Sequence, residues 1–240
     1  MHKAQTKVNY VSVNKIPPRN TLFEAVHSFI GRKVFLKFCL QCGFTPNTVT
    51  IFSGLCGILG AVLVFLGSPI PAFVMINLYA ILDLVDGDIA RERDLKSNFG
   101  YWLDIFFDKL IDFLLILALS YFAYKESNDP FLLLCGSLLM GFVFFNQLVL
   151  ILNNTIFASV ERSLKISTLD PEKSLNGSLA FIFLRKIKLH FSLSHNAFLF
   201  FISIYLLVLS PVATIIILTL HSFVTLTLNV LSNFFTFRGE

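Results

Sequence analysis

Six stretches of nearly unbroken apolar sequence run through the chain: roughly Thr48 to Gly67, Ile70 to Asp88, Tyr101 to Tyr124, Phe131 to Asn153, Asn196 to Leu209 and Val212 to Phe234. Crossing a ~30 Å hydrocarbon core takes about 20 helical residues, and all but the short fifth stretch approach that length. The runs are continuous rather than alternating with period two, which predicts helices and not a barrel. Breakers divide them: "GSPIP" between the first two, "KESNDP" between the third and fourth, "SP" between the last two. Composition agrees, with 55% hydrophobic residues, only 14% charged and a mean hydropathy of +0.76, far from an ordinary soluble domain. The predicted fold class is an all-α integral membrane protein with six transmembrane helices and an N-terminal amphipathic interfacial helix.

Lys and Arg set the orientation. Seven precede Thr48, Arg91, Arg93 and Lys96 follow the second run, and six follow the fourth, whereas the opposite loops hold only Lys125. The positive-inside rule then puts both termini and the loops after the second and fourth runs in the cytoplasm. The net charge of +4 reads as topology and contact with anionic headgroups, not as nucleic-acid binding. Residues 1–47 are predicted to be a cytoplasmic tail in which "TLFEAVHSFIGRKVFLKFCLQCG" lies at the membrane interface, Phe and Leu dipping in and basic residues at the headgroups; the alternative is a tail packed on the bundle. Residues 48–240 are expected to form one six-helix transmembrane domain, with a long cytoplasmic loop at 154–195. Cys39, Cys42, Cys56 and Cys135 have no zinc-site spacing and are expected to be small buried hydrophobes.

Against this background "LDLVDGDIARERDLKSNFGYWLDIFFDKLID", residues 82–112, carries seven aspartates. An ionised side chain near a bilayer costs several kcal/mol unless it faces the bundle interior or water, so it points to function. At ~100° per residue, Asp83, Asp86, Gly87, Ala90 and Arg91 share one arc of the second helix, while Asp88 points elsewhere. On the third helix Gly100, Asp104 and Asp108 stack at i, i+4 and i+8. The short connection between the two helices predicts antiparallel neighbours, with four carboxylates converging on one volume. Such a cluster repels itself unless cations occupy it, and an all-carboxylate site suits magnesium or manganese. Two ions held by carboxylates are a recurrent device for displacement at phosphorus. Gly87 and Ala90 leave room for a ligand beside the backbone, and Arg91 offers a forked donor to phosphate. A lone pair of aspartates at a helix end is ordinarily a cap or a solvated face; the combined pattern is not.

"DLVDGDIAR", eight residues, then "GYWLDIFFD" resembles the signature of the CDP-alcohol phosphatidyltransferase family, Asp-x-x-Asp-Gly-x-x-Ala-Arg, eight residues, Gly-x-x-x-Asp-x-x-x-Asp, at every specified position. "TPNTVT" before the first run is similar to a segment common in that family. The resemblance implies an enzyme that moves the phosphatidyl or other phospho-alcohol group of a CDP-alcohol, CDP-diacylglycerol above all, to the hydroxyl of a second substrate and releases CMP. It implies two divalent ions, magnesium or manganese, at Asp83, Asp86, Asp104 and Asp108. Asp108 is placed as the base that takes the acceptor's proton. Asp83, Asp86, Gly87, Ala90 and Arg91 then line the cytidine diphosphate site, Gly100 permits close helix approach, and a homodimer is implied. Asn47 is a further candidate for the nucleotide, although "PN" is also an ordinary helix start.

For the acceptor, Asn146, Gln147, Asn153 and Asn154 are candidates, as are Arg162 and Lys165 in "SVERSLKIS". The basic pair would suit a phosphorylated acceptor such as glycerol phosphate or inositol phosphate, or would simply meet headgroups. Asp112 either orders water or acceptor or is paired within the bundle, the latter being favoured. His190 and His195 are expected at the interface rather than in the chemistry. The competing class is a divalent-cation transporter or channel using the aspartate cluster, which would be expected to continue polar groups across the bilayer.

Overall fold

The structure is a computed structural model; it describes residues 22–166 and 195–238, with the side chains of 25–149, 151, 152, 195 and 197–231. All regular structure in these residues is helical: α1 (Leu22–Ile30), a π-helical stretch (Gly31–Leu36), α2 (Lys37–Gln41), α3 (Pro46–Phe65), α4 (Pro69–Glu92), α5 (Asn98–Ser127), α6 (Phe131–Ile166), α7 (His195–Val208) and α8 (Pro211–Arg238). Among the described residues four segments are long and apolar enough to cross a membrane: Pro46–Phe65, Pro69–Glu92, Phe131–Val149 and Pro211–Leu231. α5 is long but carries Asp104, Asp108, Lys109 and Asp112, and Ala197–Val208 is a shorter apolar helix.

Local signals explain the helix ends. Thr45 caps α3, its hydroxyl accepting from the Thr48 amide, with Pro46 at the first helical position. Ser97 caps α5 by accepting from Gly100 N at 3.0 Å, and Asn128, in the left-handed region at φ 56°, ends it. α6 does not stop with the apolar run at Asn153 but continues to Ile166. The sequence there has no Gly or Pro and includes good helix formers such as Ala158, Glu161, Arg162 and Leu164. Residues 154–166 of the expected loop are therefore helical, and Arg162 and Lys165 belong to that helix, although their side chains lie outside the described residues, as do those of Asn153 and Asn154.

α3 is the wedge of the bundle. A Cβ on Gly54 would run into Phe107, one on Gly57 into Ile111, and one on Gly60 would press against Ile76. This small-residue face lets α3 approach both α5 and α4 closely, as small residues do between membrane helices. α4 and α5 face each other through side chains, Tyr79 and Asp83 of α4 reaching Asp108 and Asp104 of α5. Their backbones approach each other little, and each packs on α3 instead. A short connection ties their ends, but the glycine face of α3 draws both toward itself and leaves a gap between them. Beyond the wedge, α6 packs on α8 and α5, and α7 on α4. Tyr79, Ile76, Ile111, Leu115, Leu119, Leu139, Phe198, Ile202 and Ile215 fill the core.

The N-terminal segment packs on the bundle. His27 Nε2 lies 3.0 Å from Asn77 Oδ1, Gly31 abuts Val85 and Ile81, Arg32 binds Asp88, and Arg93 donates to the carbonyls of Leu40 and Phe44 at 2.8 Å. The contacts advance in step along both chains, so the segment runs lengthwise beside α4. His27, Ser28, Gly31 and Cys39 face inward, while Val26, Phe29, Val34 and Phe38 face out. Of the two sequence expectations, these contacts match the packed tail: amphipathic spacing marks two faces but not which of them meets protein. Cys39 and Cys135 are buried as expected, but Cys42 is exposed because it sits at the end of α2.

Candidate active site between α3, α4 and α5

The gap left by the wedge is a cleft of about 240 Å³. Its walls are Pro46, Asn47 and Thr50 of α3, then Asp86, Gly87, Ala90 and Arg91 of α4, then Gly100, Tyr101 and Asp104 of α5, with Leu95 to Ser97 from the connecting turn. Gly100 makes room there: a Cβ would lie 2.9 Å from Asn47 Oδ1 and 3.1 Å from Ser97 Oγ, and both side chains would have to shift. Asn47 thus stands at the α3–α5 approach.

Carboxylate oxygens of Asp83, Asp104 and Asp108 lie within 4.8 Å of one another. Asp104 belongs both to this group and to the cleft wall, and Asp86 lines the same cleft. Three of the four expected carboxylates thus gather closely, with Asp86 beside them, its Oδ2 accepting from Thr50 Oγ1 at 2.5 Å. Thr50 comes from the wedge helix, which α4 spacing alone does not reveal. Among the described residues neither Asp83, Asp86 nor Asp104 has a Lys, Arg or His within ion-pair distance. Three oxygen donors of one sign, close together and with no Lys or Arg within ion-pair distance among the described residues, fit a hard divalent ion.

Arg91 lies over Gly87, its Nη2 3.2 Å from where a Cβ would be, and donates to Asp88 Oδ1 at 2.5 Å. Asp88, 1% exposed, also receives Arg32 Nε at 2.8 Å on Oδ2. The forked donor expected at Arg91 is therefore present on the cleft wall but tethered by a carboxylate that points away from the cluster.

Two residues were not anticipated. The Tyr79 hydroxyl donates to Asp108 Oδ1 at 2.9 Å. His195, expected at the interface, is instead 9% exposed, with Nε2 3.1 Å from Asp108 Oδ1 and Nδ1 2.9 Å from Asp112 Oδ1. The correction has a physical cause: His195 opens α7, and α7 packs against α4, which carries the ring into the bundle. Sequence signals existed, since Tyr79 is one helical turn before Asp83 and His195 is an ionisable group at the mouth of an apolar helix. Asp112 is paired, as favoured, with His195 and with Lys109 Nζ at 3.6 Å. Asn146 is buried and accepts from Asn229 Nδ2 at 2.7 Å between α6 and α8. His190 lies outside the described residues.

Comparison with known proteins adds three findings. A family model for CDP-alcohol phosphatidyltransferase matches residues 44–228. The bifunctional IPC transferase and DIPP synthase of Aquifex aeolicus is 32% identical over 93 residues, 38% of this chain and 22% of that protein. The archaetidylinositol phosphate synthase of Pyrococcus horikoshii is 31% identical over 106 residues, 44% of this chain. The chain thus spans 22% and 56% of the lengths of these relatives. Among solved structures, Mycobacterium tuberculosis phosphatidylinositol phosphate synthase with CDP-DAG bound shares the fold, with a TM-score of 0.50, 19% identity, and coverage of 87% of this chain and 93% of that one.

Proposed function

The chain belongs to the CDP-alcohol phosphatidyltransferase family, and from that premise we propose that it transfers the phosphatidyl group of a CDP-alcohol, CDP-diacylglycerol by preference, to the hydroxyl of a polar acceptor with release of CMP. One observation carries the reading: a cleft large enough for part of a nucleotide is lined by Asp86 and Asp104, with Asp83 and Asp108 gathered beside Asp104. A phosphorylated acceptor, glycerol phosphate or inositol phosphate, is the preferred class. It is supported by Arg162 and Lys165 on the α6 extension and by relatives whose names denote inositol phosphate chemistry.

In this reading Asp83, Asp104 and Asp108 hold divalent metal, magnesium or manganese, with Asp86 close by as the fourth carboxylate. When bound, such ions neutralise phosphate charge and ease departure of the leaving oxygen. The residues of the chain do the rest. Gly87, Ala90 and Gly100 keep the cleft walls low, so that the diphosphate can approach the backbone. Arg91 directs its guanidinium at phosphate oxygens. Asp108 accepts the acceptor's hydroxyl proton as that oxygen bonds to the phosphorus carrying the lipid alcohol. The pyrophosphate P–O bond breaks, and its electron pair leaves with CMP. All six apolar runs span the bilayer in this reading, with both termini and the site on the cytoplasmic side; residues 48–240 form the catalytic domain, and two copies form a homodimer.

The test is CMP release by purified protein with Mg²⁺ and CDP-diacylglycerol against a panel of alcohols and sugar phosphates. Release dependent on one acceptor class supports the reading. No release with any acceptor, together with divalent-ion flux in liposomes, overturns it in favour of transport.

A further inference from the structure

We propose that His195 is a positioning residue: it holds Asp108 facing the other two carboxylates, Asp112 holds His195, and the Tyr79 hydroxyl completes the clamp. The inference rests on the proposed role of Asp108. Asp83, Asp104 and Asp108 bring like charges together, and a carboxylate on two rotatable bonds lowers its energy by swinging away from such neighbours. Staying requires partners on its far side. Asp108 Oδ1 has two, the Tyr79 hydroxyl at 2.9 Å and His195 Nε2 at 3.1 Å, and these touch each other at 2.9 Å. Both partners are buried: Tyr79 is fully enclosed in the core and the His195 side chain is 9% exposed. A ring has little freedom once both nitrogens are engaged, and Nδ1 is engaged by Asp112 Oδ1 at 2.9 Å.

The plainer role for His195 is to neutralise buried Asp112. Lys109 already approaches the other oxygen of Asp112 at 3.6 Å, and the ring reaches past Asp112 to Asp108. The clamp joins α4, α5 and α7, so it forms only when α7 has docked. Residues that support a metal-binding carboxylate typically matter by about 10–100-fold in metal affinity or activity.

Two near-isosteric substitutions separate the roles. His195→Gln carries an amide nitrogen near the place of Nε2 and keeps the reach to Asp108; His195→Asn carries one near the place of Nδ1 and keeps the reach to Asp112. With full-length protein in detergent at saturating Mg²⁺, and with the acceptor selected by the CMP-release panel, His195→Asn is expected to lower kcat about 10–100-fold. His195→Gln is expected to lower it less than about 3-fold, with the KM for CDP-diacylglycerol within about 2-fold in both. Mn²⁺ titration followed by electron paramagnetic resonance needs no acceptor and should weaken in the same order. The reverse order, with Asn tolerated and Gln not, assigns His195 to Asp112 alone and overturns the clamp, as does equal behaviour of the two variants. An active Asp108→Asn protein would instead overturn the role given to Asp108, and the Mn²⁺ order would then judge the clamp by itself.

Discussion

Asp88 and the Asp83–Asp104–Asp108 group are drawn from one short stretch of sequence, yet they sit in opposite electrostatic circumstances. Asp88 is 1% exposed and has a guanidinium on each oxygen. The three converging carboxylates have no Lys or Arg partner among the described residues, and only Asp108 has a histidine. A buried carboxylate is tolerated where charge and hydrogen bonds compensate its lost hydration. Asp88 draws that compensation from the chain itself, so it is architecture. The cluster must draw it from solution, which is what a site for divalent ions looks like before chemistry is considered. The same residue type thus serves scaffold and site, and the partner decides which.

Breaking the comparison starts with the largest effect. Asp108→Asn should lower CMP release by about 100-fold or more, the scale of a lost general base, while CMP binding, measured by calorimetry, stays within a few-fold. Loss of both together would remove the separate role of Asp108.

The next test sets the two groups against each other without turnover. In metal-free detergent solution Asp88→Asn strands two guanidinium groups against a neutral partner. Removing one member of a buried pair costs roughly 3–5 kcal/mol, so the thermal midpoint should fall. Asp83→Asn relieves repulsion and should hold or raise the midpoint under the same conditions, then lose the stabilisation that added Mg²⁺ gives the unmutated protein. Equal falls for both variants would erase the distinction between scaffold and site.

The smallest effect concerns the link between the N-terminal segment and the cleft. Arg32→Met removes one of the two guanidinium partners of Asp88, which tightens its hold on Arg91 and should raise the KM for the CDP donor a few-fold with kcat nearly unchanged. An unchanged KM would make the Arg32–Asp88 pair purely a packing contact.

Much of the site was legible in the sequence, because helical periodicity fixes which residues of one helix share a face. Asp83, Asp86, Gly87, Ala90 and Arg91 on one arc, and Gly100, Asp104 and Asp108 on another, needed no tertiary information. The need for Gly100 was legible too, and the clash a Cβ would make with Asn47 gives its reason. Relations between helices were not legible. A short connection made α4 and α5 neighbours whose carboxylates face each other, but it did not show that the glycine face of α3 draws both backbones to itself and opens the cleft. Periodicity likewise could not tell that Thr50 of α3 would donate to Asp86.

The sequence by itself determined that this is a helical membrane protein whose aspartates share one face on each of two helices, since apolar run length and i, i+4 spacing are properties of a single helix. Only the tertiary structure decided that Asp83, Asp104 and Asp108 gather most closely while Thr50 binds Asp86, that the N-terminal segment lies lengthwise on α4, and that His195 reaches Asp108 from a distant part of the chain. Those outcomes depend on how helices pack, and packing is settled by side-chain shapes on several helices at once.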